Sequence, residues 1–334
     1  MNPRERFWGV IHRTKIDRLP VVEWAPWWKE ATIPRWYEEG LPRDLATDRQ
    51  ISAYFGQDDW RLGWLGARAK DAPKPAYPGA PLIRNRAEYE AFQQHLWQEP
   101  TRQLDDLRSW ADDHAAGRCV VWIVLEGFYW FPARLLGIEN HLLAFYDQPD
   151  LIHDMNRRLV EFNLRCLEQV SAILKPDFVT FAEDMAYNHG PMISRKLFQE
   201  FLAPYYRQVV PRIKERGSVV TVDTDGQMEP LVPWLLEAGL EGVDPLERQA
   251  GVDIARLRRT YPGLVMLGGF DKMAMPKGRD AMRHEFERIL PVMASGRYFP
   301  GVDHQTPPGV SLEQYRVYME LFREYAVRAV EGWR

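Results

Sequence analysis

Cysteine is nearly absent from this chain: only Cys119 and Cys166 occur in 334 residues, far apart and without metal-ligand spacing. That argues against a cysteine-built zinc or redox centre and makes a reducing, cytoplasmic setting the expectation. A basic surplus is also missing. The formal net charge of −4 supplies no positive field for nucleic acid or an anionic membrane. No apolar run approaches the ~20 residues that span a bilayer, and the start MNPRERFWGVIHR has no secretory apolar core. No strand leads into G-x-G-x-x-G, and G-x-x-x-x-G-K-[ST] does not occur, which disfavours dinucleotide and P-loop sites. Low-complexity linkers are missing too. The Pro-rich KDAPKPAYPGAP (70–81) is short and reads as an excursion, so residues 1–334 are expected to form one domain.

What is present is a repeated unit of a short β-branched run followed by a longer helical pattern. Strands are expected over Leu19–Trp24, Cys119–Glu126, Asp177–Glu183, Ser218–Asp223, Gly242–Pro245, Leu264–Gly268 and Tyr298–Val302. One more is expected between Thr47 and Trp64, where the pattern is poor. Helices are expected over Pro149–Leu174, Arg195–Arg216, Met228–Glu237 and Ser311–Trp333, the last with a Ser311/Gln314 capping box. The chain should open on a helix capped by Asn2, with Pro3 at its first position and Glu5 three residues after the cap. Strands alternating with helices predict a parallel sheet, and eight of them predict an α/β fold of the (β/α)8 barrel type.

Barrels of that type carry their chemistry at the carboxyl ends of the strands. Here those ends are acidic: Glu23, Glu126, Glu183 with Asp184, Asp223 with Asp225, Asp244, Asp271, and Asp303 with His304. Asp223 and Asp225 lie two apart, so on a continuing extended backbone they share a face. So many carboxylates in one dry mouth repel unless a cation, shared protons or arginines compensate. Glu183 and Asp184 can serve as acid, base or ligand, or simply bind loop amides. His189 reads more as a loop hydrogen-bonder than a catalyst, and Gly268-Gly269 as close backbone packing. Thirteen tryptophans are unusual, and Trp24, Trp27, Trp28 and Trp36 crowd into EWAPWWKEATIPRWYEEGLP. They are either packing or an aromatic wall around a ring-shaped substrate. Tyr129 and Tyr187 read as pocket walls.

The segment DFVTFAEDMAYNHGPMISRKLFQEFLAPYYRQVV resembles the uroporphyrinogen decarboxylase superfamily, in which a strand ends in an acidic pair and a Ser-capped helix carries F-x-x-F-x-x-P-Y. VVTVDTDG, GVDPLE, LVMLGGFDK and YFPGVDHQTPPGVSLEQY follow in the order of its fifth to eighth strands, and RERFWGVIHRTKIDRLPVVEW is similar to its first helix and strand. The resemblance implies a distorted (β/α)8 barrel and one of two activities. One branch decarboxylates uroporphyrinogen without a cofactor, using arginines in R-Q-A-G-R after the first strand; here that place reads EWAPWW, which does not suit a polyanion. The other branch moves methyl groups to or from corrinoids on zinc held by H-x-C-G and a later cysteine. Here Asp223-Thr224-Asp225-Gly226 and Asp303-His304 stand in those places.

The resulting expectation is a methyltransferase-like enzyme, moving a methyl group from a small methylated substrate to a corrinoid protein. Asp223, Asp225 and His304 would hold Zn²⁺, or Mn²⁺ or Mg²⁺ given their oxygen donors. Glu183, Asp184 and His304 would be catalytic, and Trp24, Trp27, Trp28, Glu126, Tyr129, Tyr187 and Asp244 would contact substrate. The alternatives are a metal-free decarboxylase of a porphyrinogen or smaller carboxylate, and a non-catalytic small-molecule binding protein. A homodimer is implied by the resemblance.

Overall fold

The opening helix, Pro3–His12, begins where Asn2 and Glu5 cap one another: each side chain accepts the other's backbone N–H. Its inward Phe7 stacks on Phe178 and Phe299 and meets Trp60 edge-on, with ring centroids 5.5, 5.0 and 5.6 Å away. Trp60 and Phe178 are the first residues of their strands. The helix therefore plugs one end of the sheet and leaves the other end for chemistry.

In this computed structural model, residues 1–25 and 27–333 are described. The strands are β1 (Trp60–Leu65), β2 (Val120–Glu126), β3 (Phe178–Ala182), β4 (Ala186–Tyr187), β5 (Gly190–Pro191), β6 (Val219–Asp223), β7 (Gly242–Asp244), β8 (Val265–Leu267) and β9 (Tyr298–Phe299). Seven of them make one parallel sheet in the order β1-β2-β3-β6-β7-β8-β9, and β4 and β5 form a small hairpin. Strands β2, β3, β7 and β8 are wholly buried, as continuous apolar runs between helices should be. Midway along the sheet, Trp122 donates to the Thr180 hydroxyl at 2.8 Å, and that hydroxyl meets Thr221 at 2.6 Å. Polar groups inside the sheet are thus paired with one another.

Two strand expectations differ from the structure. The poorly patterned strand is Trp60–Leu65, at the far end of its window; Asp48–Tyr54 is instead a helix, begun by a Thr47/Gln50 capping box. Leu19–Trp24 is extended but joins no ladder, although it lies between the two edges of the sheet. The Leu19 N–H goes to the Ala326 carbonyl at 3.0 Å, and other donors of the segment and its neighbours are spent on side chains. Pro20 has no N–H, the Val21 N–H goes to the Asp58 carboxylate at 2.8 Å, and the Val302 N–H goes to the Glu23 carboxylate at 3.0 Å. Only at the foot does a backbone bond cross to the β1 side, from Asp58 N–H to the Val21 carbonyl.

Helix boundaries follow the same logic. Pro149–Ile173 runs unbroken, whereas the expected Arg195–Arg216 helix splits into Arg195–Phe201 and Ala203–Lys214 because Pro204 cannot continue the ladder. The expected Met228–Glu237 helix opens as a 3₁₀ turn, Glu229–Leu231, before Val232–Glu237. Leu312–Arg328 carries the Ser311/Gln314 capping box. Residues 70–81 hold no helix or strand. No helix among the described residues is long and apolar enough to cross a membrane.

Candidate active site at the carboxyl ends of the strands

Several carboxylates at the strand ends have a job that the sequence does not reveal: each fastens the loop of a neighbouring strand. Glu183, after β3, accepts the N–H groups of Phe128, Tyr129 and Trp130 at 2.7, 2.7 and 3.1 Å, together with the Tyr206 hydroxyl. Thr224 takes Met185 N–H at 2.9 Å, and Glu247 takes Gly226 N–H at 2.8 Å. Asp303 takes the amides of Arg248 and Lys272. Glu23 completes the circuit through Val302 and accepts the Tyr318 hydroxyl at 2.5 Å. A carboxylate that accepts two or three amides replaces the water those amides would otherwise need.

Glu183 is the clearest case. Its expected role is catalytic, but it is buried and its acceptor capacity is filled by the protein. A Cβ on Gly127 would come within 2.1 Å of its carboxyl carbon, so the loop passes directly over it. Burial pushes the Glu183 carboxyl up to about 7, against the lowering effect of its hydrogen bonds. We expect Glu183→Ala to cost on the order of 4 kcal/mol of stability, because it strands three amides and a hydroxyl. Gly127→Ala should be comparably harmful through overpacking. Urea denaturation measures both; a Glu183→Ala protein within about 1 kcal/mol of wild type but inactive would restore the catalytic assignment.

Subtracting the fastened carboxylates leaves a different set. The side chains of Asp223 and Asp225 accept no hydrogen bond from a described residue, and both Asp244 oxygens are buried without a partner, the nearby Thr221 hydroxyl being engaged with Thr180. Asp223 and Asp244 are register partners on β6 and β7. Asp184 stands beside them with its backbone in the left-handed region at φ 44°, a conformation that Asp tolerates better than most residues. Donor atoms of Asp184, Asp223 and Asp225 lie within 4.8 Å of one another, and so do those of Asp225, Glu247 and His304. Asp225 belongs to both groups, with its Oδ1 3.7 Å from His304 Nε2. Gly226 follows at φ +85°, where a Cβ would strike the Tyr187 backbone at 2.7 Å; only glycine lets the β4–β5 hairpin close over this spot.

The electrostatics match. Burial, reinforced by Asp244, Asp184 and Asp225, holds the Asp223 carboxyl well above the usual carboxylate range. Burial lifts Asp244 to about 8 and Asp184 to about 6, in each case with the Asp225 charge adding to it. Burial also raises Asp225, while His304 and Lys272 oppose the rise. These groups cannot all ionise cheaply side by side. Asp303 is raised to about 6 by burial, moderated by the Lys272 ammonium 3.6 Å away.

The aromatic wall needs correction. Trp27 is 1% exposed and packs edge-on against Trp36 and Tyr315, so it belongs to the core; Trp28 is 48% exposed. Trp24 alone of the three reaches the mouth, its ring 5.9 Å from His304. Trp27 forms an isolated parallel bridge with Thr306, and Trp36 of the helix Thr32–Glu38 turns into the same core. Tyr129 is buried, with its hydroxyl 3.4 Å from the Met192 sulfur, and is no lining residue. Glu126 is likewise enclosed and bound to Arg134 at 3.2 Å. Tyr187 is exposed on the hairpin, its ring edge-on to His189.

Three residues of the mouth escape sequence reading. Glu247 stands only three positions past Asp244 in GVDPLE, and Lys272 directly follows Asp271 in LGGFDK, so strand-end position could have found both. Lys272 Nζ lies 3.9 Å from Glu247. Arg134 comes from the helix Trp130–Leu136, and its charge acts on Arg68 and Asp184. No sequence signal marks it.

Comparison with known proteins gives three results. No curated protein matches the chain. Among solved structures, one from Listeria monocytogenes, described as a vitamin-B12-independent methionine synthase, is similar at 12% identity over 69% of either chain, with a TM-score of 0.40. A likeness that slight carries no inference about fold or activity. The uroporphyrinogen decarboxylase (URO-D) family model matches residues 131–325. That span takes in β3 to β9 and the unfastened aspartates, and the chain belongs to the uroporphyrinogen decarboxylase family.

Proposed function

We propose that this protein is a methyltransferase-like member of its family that takes a methyl group from a small methylated compound and passes it to a corrinoid protein. The observation that carries the reading is the convergence of Asp225, Glu247 and His304, with Asp184 and Asp223 sharing Asp225. A donor set of carboxylates and one imidazole suits Zn²⁺, Mn²⁺ or Mg²⁺, and the raised affinity of these acids for protons is what a divalent cation would offset. Bound there, the cation would act as a Lewis acid toward a substrate oxygen. The chain's own groups do the rest. As the methyl group leaves its oxygen, that oxygen needs a proton, and Asp184, outside the Asp225, Glu247 and His304 trio that would hold the cation, can supply one. Trp24 flanks His304 and limits the water that reaches the site. In this reading the whole chain, 1–334, is one (β/α)8 barrel with Leu19–Trp24 as its first strand, and it works as a homodimer.

The test is transfer of methyl groups from methyl ethers to reduced cobalamin, followed spectroscopically with and without added Mn²⁺ or Zn²⁺. Metal-dependent formation of methylcobalamin is expected. Failure with a broad panel, together with CO₂ release from small carboxylic acids, would favour a decarboxylase. That second reading has one observation behind it: Lys272, between Glu247 and Asp303, already neutralises part of the cluster.

Uroporphyrinogen itself should be turned over trivially if at all. Glu23 and Trp24 occupy the place of the arginines, and Arg134 is committed to Glu126. Coproporphyrinogen formation at the rate of a genuine decarboxylase would overturn this.

A further inference from the structure

Lys272 stands where the acid cluster and the loop-fastening circuit meet. Its backbone is fixed. The residue opens the 3₁₀ turn Lys272–Lys277, Asp271 caps that turn by accepting the Met273 N–H at 2.8 Å, and the Lys272 N–H donates to Asp303 at 3.3 Å. The side chain is held far less firmly. Its Nζ lies 3.6 Å from Asp303 Oδ1 and 3.9 Å from Glu247 Oε1, with only 16% of the side chain exposed. Neither distance is a hydrogen bond; a charged pair that had closed would stand at about 2.8 Å. The ammonium is shared between two carboxylates and committed to neither, and its flexible four-carbon stem lets it swing toward either.

Those two neighbours differ. Glu247 belongs to the trio with Asp225 and His304 and keeps its other oxygen on the Gly226 N–H. Asp303 is fully buried, outside the trio, and its oxygens take the Arg248 and Lys272 amides. Positive charge is scarce here. Arg134 is held by Glu126 at 3.2 Å, whereas the Lys272 charge acts on Asp225, Glu247 and Asp303 together.

We propose that Lys272 is a tethered counter-ion with two positions, one between Glu247 and Asp303 and one wholly on Asp303. A divalent cation entering the Asp225, Glu247 and His304 trio drives it from the first to the second. This role rests on the cation of the proposed methyl transfer and sets how firmly that cation is held. A monovalent ion would bring the trio only the charge that the ammonium already supplies, so it gains nothing by displacing it. A divalent ion brings twice that charge, and the departure of Lys272 frees a Glu247 oxygen for it. Asp303 is the receiving partner: it keeps the displaced ammonium paired instead of leaving it beside a like charge.

Mn²⁺ titration, with the free ion followed by electron paramagnetic resonance, tests this through variants of opposite forecast. Lys272→Met keeps the length of the side chain and removes its charge; Lys272→Gln is a second neutral variant. Both should bind Mn²⁺ at least about tenfold more tightly than wild type, the low end for removing a like charge from beside a divalent ion. Asp303→Asn keeps one acceptor for the loop amides but takes away the charge that receives Lys272. It should bind Mn²⁺ at least about threefold more weakly than wild type. The double variant Lys272→Met/Asp303→Asn should return to tight binding, since no ammonium remains to be displaced. A lysine that merely supports its loop would weaken binding when replaced, or leave it alone. Affinity unchanged or lowered in both neutral variants overturns the proposal. So does an Asp303→Asn protein that binds as well as wild type, or a double variant as weak as Asp303→Asn. Binding by Lys272→Met but not by wild type upholds it in its strongest form. Absence of Mn²⁺ binding in every one of these proteins removes the cation itself, and the tethered role with it.

Discussion

Treatment with a chelator is expected to lower the melting temperature of the wild-type protein by about 4–8 °C, and to leave Asp225→Ala unmoved. The magnitude follows from mass action: a cation at about a thousand times its dissociation constant stabilises the folded state by about 4 kcal/mol. For a chain of this size that is several degrees. Asp225 is the residue to remove because it belongs to both acidic groups and lies 3.7 Å from His304. Its loss should abolish metal binding and reduce methyl transfer by at least about a thousandfold, as removal of a principal site group does. A rival role, in which Asp225 serves only the local backbone, forecasts no chelator effect and a change of about 1 kcal/mol. If the chelator leaves wild type untouched and no metal co-purifies, the cation is gone from the mechanism and the acids hold protons instead.

With metal removed, the protein should become less stable as pH rises from 5 to 9. Glu23 and Asp244 are each held at about 8, and Glu183 at about 7, chiefly by burial; all three titrate near 4 when unfolded. A folded value above the unfolded one means that the folded chain binds more protons in between. The stabilisation is therefore complete below about pH 4 and is lost as pH climbs through 6 to 8. Each tenfold difference in proton affinity between folded and unfolded chain is worth about 1.4 kcal/mol, so these buried groups should together cost at least about 3 kcal/mol across that window. Urea denaturation at a series of pH values, in chelator, measures it. Saturating Mn²⁺ should flatten the part of the slope that comes from the aspartate cluster, because a bound cation keeps its ligands deprotonated. Stability that is flat or rising to pH 9 in the metal-free protein would contradict the burial described for these carboxylates.

The sheet is legible where the chain states it plainly. Val219–Val222 and Val120–Leu125 are apolar runs too short for helices and too continuous for an exposed strand, and both are buried strands. Leu19–Trp24 carries the same signal yet makes no ladder, because its pairing is decided by Asp58 and Glu23, whose partners lie far away in sequence. The acidic strand ends are equally visible, and Asp184, Asp223, Asp225 and His304 do meet. Composition cannot sort them. A carboxylate that fastens a loop and one that awaits a ligand look alike until the amides around them are located, and Glu183 and Asp244 sit at equivalent strand ends with opposite surroundings. Trp27 deceives for a related reason: its burial depends on Tyr315, in a helix at the other end of the chain.

The circuit of loop-fastening side chains has a consequence for how the mouth opens. Glu23, Glu183, Thr224, Glu247 and Asp303 each stand on one segment and grip the amide of another. No loop can lift without releasing its neighbour's anchor. The rim should therefore behave as one cooperative unit in native-state hydrogen exchange. The amides of Phe128, Met185, Gly226, Arg248 and Val302, scattered over the sequence and lying in loops, would share a single opening free energy instead of exchanging with the individual rates of surface loops.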